Sequence, residues 1–463
     1  MTNFFDGRKI IYLFLGLILL THILILSKLI YFPYPELFIY PYLTNHGLKP
    51  YSQIIDQHFP GLMFLPLNLD NLGMTTPEIA RIWSIMLVLA TQLMLFFVGK
   101  EIFKSNTKAI LVNLLYLFWQ PFFEGWVLWI DSFLPVILLP AFYSFYKRWI
   151  FRTGLLLGLG IVFKQVLIPL AFFVLICFFW KDEKFKVILR YLSGLLLPII
   201  FMVIYLLVIG VFRDFWYWTV IFNLTVFAKS GRGEIPTLAH LFRVLLVFGT
   251  PFLILRKIRL TEAQILIIFL TGALLGLSTR FDFVHFQPAL PFAVLAFVYS
   301  LGSFNKSPQA YQAWSGRLKI VGIFGYFLIL FWWLNIFYKG HLGNRVIAFD
   351  SQIKELAVKI KDYTTPGEKI FVFGREPHLY QMSETLPAGD VFVFQFPWFF
   401  QVAEKRILEG IIRDQPQIVI SDRTTEIENQ KITDFGRTID QYINENYQKI
   451  DNVGTADILR RKS

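Results

Sequence analysis

Charge is scarce in this sequence. Only 16% of its 463 residues are Asp, Glu, Lys or Arg, against 56% hydrophobic and a mean hydropathy of +0.55. Soluble globular and disordered chains carry far more polar surface, so both classes are excluded. Cysteine is scarcer still. The lone Cys177 can form neither an intramolecular disulfide nor a Cys-rich metal site, and its apolar setting makes it a small hydrophobe. Also lacking are a Walker A loop, a Gly-x-Gly-x-x-Gly turn after a strand, a nucleophile elbow, His-Glu-x-x-His spacing and any repeat of solenoid length. These absences turn the reading away from nucleotide-linked substrates.

What the sequence has is apolar length and a localised positive charge. The net charge of +12 divides unevenly: residues 1–340 hold 28 Lys and Arg against 14 Asp and Glu, and residues 341–463 hold 16 against 18. The basic excess belongs to the apolar part, where it reads as the imprint of membrane topology and not of nucleic-acid binding.

Runs long enough to cross about 30 Å of hydrocarbon fall near 10–31, 78–99, 109–130, 132–146, 153–180, 188–212, 237–255, 261–278, 288–303 and 319–338. The first follows Arg8 and Lys9 and lacks a small-residue cleavage site, as in a retained signal anchor. Basic clusters at 8–9, 100–108, 147–152, 181–190, 256–259 and 306–319 are expected on the cytoplasmic side. Alternation then requires 153–180 to cross twice or not at all. With Gly160, Lys164, Gln165 and Pro169 at its middle, that stretch is expected as two short helices meeting in a polar turn on the outer side. The result is about eleven spans, a cytoplasmic N-terminus and an external C-terminus in the plasma membrane. A single tilted span with another span misassigned is the alternative.

The expected fold is therefore an α-helical polytopic membrane domain over 1–340, with a first external loop at 32–77, followed by a small extracytoplasmic α/β domain over 341–463. In the latter, Ile353, Leu356, Ala357 and Ile360 have helical spacing, Lys369 to Gly374 and Ile418 to Ile420 read as buried strands, and helical patterns lie near 400–412 and 430–446.

Candidate chemistry sits beside the spans. Glu36 follows the first span, and Asp56 and His58 come about twenty residues later, before Pro60 and Gly61. A carboxylate at the lipid–water boundary suits a general base for a sugar or lipid hydroxyl; the plain alternative is a solvated loop carboxylate. Lys164, beside Gln165, is an ionisable residue inside an apolar run, which is costly and so points to function, unless it snorkels to the interface. His240 and Arg243 share a helix face at i, i+3 and either meet a phosphate or end at the headgroups. Arg280, Asp282 and His285 form either a ligand contact or a local ion pair.

Three stretches resemble the C-type glycosyltransferases, multi-span enzymes that use polyprenyl-phosphate sugars and include protein O-mannosyltransferases and lipid A aminoarabinose transferases. They are the first loop with Glu36, Gly47 to Tyr51 and Asp56 to Gly61; the Gly-rich run Gly154 to Gln165; and Arg280 to Pro291. The family's first-loop acid is commonly Asp, where this sequence has Glu36 alone.

The resemblance implies inverting transfer of a sugar from a polyprenyl-phosphate donor to a glycan, lipid or protein hydroxyl outside the cell. Glu36 is then the first candidate base and Asp56 the second. Lys164, Gln165, His58, His240, Arg243, Arg280 and His285 become substrate-binding candidates. Glu124 and Asp131, in the third-to-fourth helix loop, resemble acids that the family uses toward metal or acceptor, with Asp131 as a plain helix cap the alternative. A divalent metal ion would draw its ligands from different loops, and no ligand set is assigned. A transporter or flippase of a lipid-linked sugar, or an inactive scaffold of the same architecture, are the rival readings.

Overall fold

The computed structural model describes residues 7–180, 184–230, 236–249, 251, 261–278, 281–301 and 309–462. The chain forms two compact units. One comprises residues 1–31, 81–199 and 233–345, and the other residues 32–80, 200–232 and 346–463. The expected basic segments at Arg256 to Arg259 and at Lys306 lie outside the described residues.

Apolar helices dominate. Among the described residues, Lys9–Lys28, Pro77–Phe103, Phe185–Val208 and Val321–His341 are long and apolar enough to cross a membrane, and six shorter apolar helices accompany them. The protein is a multi-pass membrane protein. The stretch expected to break at its middle does so: one helix runs Ile150–Phe163, Lys164 is extended (φ −155°, ψ 119°), a 3-10 turn follows at Gln165–Leu167, and a second helix covers Ile168–Trp180. After the helix Phe185–Val208 the chain is helical again over Phe212–Ser230, where aromatic residues continue the apolar run.

The Gly-rich run has a packing role. A Cβ at Gly154 would lie 2.2 Å from the carbonyl oxygen of Tyr191, and one at Gly158 would lie 2.1 Å from that of Leu195. The helix bearing Lys164 at its C-terminus is thus seated backbone to backbone on the helix beginning at Phe185, the small-residue contact that membrane helices favour where no hydrophobic driving force separates lipid from protein.

In the second unit a five-stranded sheet forms from β1 (Lys369–Phe373), β2 (Leu386–Pro387), β3 (Ile418–Ser421), β4 (Tyr447–Val453) and β5 (Ala456–Arg461). Its order is β4-β5-β3-β1-β2. β1 lies parallel to both β2 and β3, while β5 is antiparallel to β3 and to β4. Helices Ser351–Tyr363, Pro397–Asp414 and Arg437–Asn446 match the expected helical patterns. The hairpin β4–β5 was not expected from the sequence. β4 carries Gln448, Lys449, Asp451 and Asn452 on a sheet edge, and edge strands bear such charge to resist further pairing.

The first loop folds onto these C-terminal residues. Its helix Glu36–Asn45 buries Leu37, Phe38, Ile39 and Tyr40. Phe38 meets Phe349 edge-on, Tyr40 meets Phe392 and Phe394, and Ile54–Ile55 pairs in parallel with Phe392–Val393.

Candidate functional site

In the first unit, ionisable side chains from four separated segments meet around one turn. Asp131 lies in the first turn of the short helix Ile130–Phe133 and is 2% exposed. Lys164, freed from helical geometry by the break after Phe163, places Nζ 2.5 Å from Asp131 Oδ2. A cation at a helix C-terminus is also favoured by the helix dipole. His285, in the 3-10 turn Phe283–Phe286, sets Nδ1 3.0 Å from the same oxygen and 3.2 Å from Lys164 Nζ. Burial, then the nearby Lys164 charge, holds the His285 imidazole below its ordinary pKa, which favours the neutral form. With Nδ1 unprotonated, that nitrogen accepts from Lys164.

Glu124 joins from the neighbouring loop. Its φ of 55° is left-handed, uncommon for a non-glycine residue and tolerated where surrounding structure holds it. Its Oε2 accepts from the backbone N–H of Val284 at 2.9 Å, and burial pushes the carboxyl pKa up. Gln287, buried, donates from Nε2 to the carbonyl oxygens of Gln120 and Phe123 at 3.1 and 2.5 Å, tying this loop to the His285 turn. Arg243 lies over the rings of Phe122 and Phe283, its guanidinium carbon 3.9 Å from each centroid. His240, one turn earlier, packs edge-on against Phe283 and stacks with Phe281. Asp131, Lys164 and His285 thus meet directly, with Glu124 tied to the His285 turn and Arg243 laid over the Phe122 and Phe283 rings; Asp131 and Lys164 are buried and the other three half-buried. Gln165 opens the 3-10 turn beside Lys164. Arg280 lies outside the described residues.

The second unit holds a cavity of about 520 Å³ lined in part by Glu36, Arg375, Glu376, Phe396, Asp422 and Thr424. The wall is organised around Asp422, which is 1% exposed. One of its oxygens accepts from Arg375 Nη1 at 3.0 Å and Thr455 Oγ1 at 2.6 Å; the other accepts from Thr424 Oγ1 at 2.6 Å and the Thr424 N–H at 3.0 Å. Gly374 lets the loops after β1 and β3 touch: its φ is 72°, and a Cβ there would stand 2.2 Å from the Asp422 carbonyl oxygen. Burial raises the pKa of Glu376 against the opposing charge of Arg375.

Asp56 belongs to the same unit but not to that cavity's lining. It accepts from Tyr40 Oη at 2.7 Å, from the His58 N–H at 2.7 Å and from His58 Nδ1 at 3.0 Å, which anchors the end of the first loop. Burial, then Asp56, then Glu36 push the Tyr40 pKa well above its ordinary value. Of the expected site residues, Glu36, Asp56 and His58 fall in the second unit, and Glu124, Asp131, Lys164, Gln165, His240, Arg243 and His285 in the first. Among the described residues, no group of three or more His, Cys, Asp or Glu is placed to hold a metal ion.

Gln287, Arg375, Glu376 and Asp422 were not singled out from the sequence. The signal for the last three was polar residues directly after the apolar strands β1 and β3, where open parallel sheets bind ligands.

A polytopic array of apolar helices with a small C-terminal sheet region is a GT-C-like fold, as the resemblance implied. The crystal structure of ArnT from Cupriavidus metallidurans bound to undecaprenyl phosphate matches with a TM-score of 0.60 over 98% of this chain and 98% of that chain, at 12% identity. ArnT from the same organism in the apo state matches with a TM-score of 0.58 over 98% of each chain, at 11% identity. No family model matches the sequence, and no curated protein matches it.

Proposed function

We propose that the protein is a membrane glycosyltransferase that moves a sugar from a polyprenyl-phosphate carrier to an acceptor hydroxyl on the external face of the membrane. The observation that carries this reading is the contact of Lys164 and His285 with buried Asp131, near Glu124 and Arg243, in a chain whose fold matches a protein bound to undecaprenyl phosphate. Eleven crossings with the C-terminus outside is the topology the reading uses.

In such a transfer the acceptor oxygen attacks the anomeric carbon as a carboxylate base, for which Glu36 is the candidate, takes its proton; the bond from that carbon to the phosphate oxygen breaks with inversion, and the lipid phosphate leaves with one more negative charge. In the first unit, Lys164 and Arg243 are the candidates for stabilising that charge. Asp131 accepts from Lys164 and so holds that ammonium in place. A base of this kind contributes about 10²- to 10⁴-fold.

The test uses the full chain in liposomes carrying native polyprenyl-phosphate sugars, with transfer and carrier translocation read separately. Transfer that falls at least 100-fold in Glu36→Gln agrees with the reading. Undiminished transfer removes Glu36 as base, and translocation without transfer makes the protein a flippase.

A further inference from the structure

In the second unit, the chain leaves β1 toward β2 on one side, while β3 lies on the other side of β1 and leads away toward β4. Adjacent parallel strands whose following segments part in opposite directions leave a crevice at their carboxyl ends, the place where open α/β sheets bind ligands. The 520 Å³ cavity opens there, lined by Gly374 to Pro377 after β1 and by Asp422 and Thr424 to Ile427 after β3, together with Glu36 from the first loop.

Its chemistry is specific. Phe394 and Phe396 line it, and Phe396 stacks on Trp398 with ring centroids 4.5 Å apart, fixing a rigid apolar platform. Phe32 and Tyr34 supply further rings, 4.8 Å apart. The cavity is lined as well by the carboxylates of Glu36, Glu376 and Glu426 and by the guanidinium of Arg375, which Asp422 already engages. Aromatic faces take the C–H faces of a sugar ring, and carboxylates accept from its hydroxyls. The carboxylate excess repels phosphate or any acidic sugar, a negative element that sharpens selection.

We propose that this crevice is the acceptor subsite, that it binds an uncharged polyhydroxylated ring, and that it rejects anionic ones, with Glu376 as a specificity-determining residue. The inference rests on the glycosyltransferase reading for the word acceptor, but the binding can be measured without it.

The experiment is saturation-transfer-difference NMR on the full chain in phosphatidylcholine nanodiscs, with methyl glucoside and methyl glucuronide as ligands and no lipid donor. The glucoside should bind at least tenfold more tightly than the glucuronide. Glu376→Gln, nearly isosteric, should weaken the glucoside about tenfold, the value of one hydrogen bond to a charged group, and narrow the gap to the glucuronide. Circular dichroism would verify that the variant is folded. No saturation of the glucoside, or equal saturation of both ligands that Glu376→Gln leaves unchanged, overturns the proposal. Sugar bound here by a protein that transfers none refutes the glycosyltransferase reading alone; transfer by a protein that binds no glucoside refutes this inference alone.

Discussion

Removing Lys164 tests whether the buried cluster is a coupled electrostatic unit. Nζ and Oδ2 of Asp131 stand 2.5 Å apart, with side-chain exposures of 7% and 2%. At an effective dielectric of about 20, two unit charges at that separation attract by about 7 kcal/mol. Desolvation offsets much of this, so the net effect shows when one partner is deleted and the other is left buried and charged. Lys164→Met should therefore cost about 3–5 kcal/mol, and Asp131→Leu a similar amount. The double replacement should cost far less than the sum, because an apolar pair of similar volume leaves no stranded charge. Unfolding by SDS titration in mixed micelles, for the two single variants and the double, gives the coupling energy directly. Single variants that each lose under about 1 kcal/mol and add in the double would mean that Lys164 and Asp131 are not coupled.

Two further outcomes follow from the packing. His378 is fully buried against Phe349, and burial drives its pKa down to about 3, with the Ala348 backbone and Asp350 opposing. The unfolded chain thus binds the proton more readily than the folded one, so stability is complete above the unfolded pKa of 6.5 and falls as pH drops toward about 3. Between pH 7 and 5 the loss should be roughly 2 kcal/mol, and thermal melting of His378→Phe should lack that component. Gly158→Ala gives a sign test: helix propensity alone would favour alanine by about 1 kcal/mol, but the new Cβ meets the Leu195 carbonyl oxygen at 2.1 Å. A net loss of about 1–3 kcal/mol in the same SDS titration is expected, and a gain would show that the helices do not pack this closely.

The sequence made local features readable and long-range ones not. The break at Lys164 was visible because a charged and amide pair interrupts an apolar run between Gly160 and Pro169, and β1 and β3 because short β-branched and aromatic runs follow turn residues. Helix Ser351–Tyr363 was likewise legible from its apolar spacing. The meeting of His285 with Lys164, 121 residues apart, depends on how helices stack, which periodicity does not report. The roles of Arg375 and Asp422 were hidden for another reason: residues after a strand read as ordinary loop until the strand order shows which ends are neighbours. Glu36 was marked by its position after the first span, yet nothing local revealed that its helix would pack with Phe349 and Phe392.

Cleavage of a lipid-linked sugar from its phosphate is a change that phosphorus NMR reads directly. Full chain in nanodiscs, supplied with undecaprenyl-phosphate sugars and an acceptor extract, should convert the phosphodiester signal to the undecaprenyl phosphate monoester, and Glu36→Gln should slow the conversion at least 100-fold. A phosphodiester signal that persists unchanged with the intact protein, across the carrier-linked sugars of the native membrane, would contradict the account.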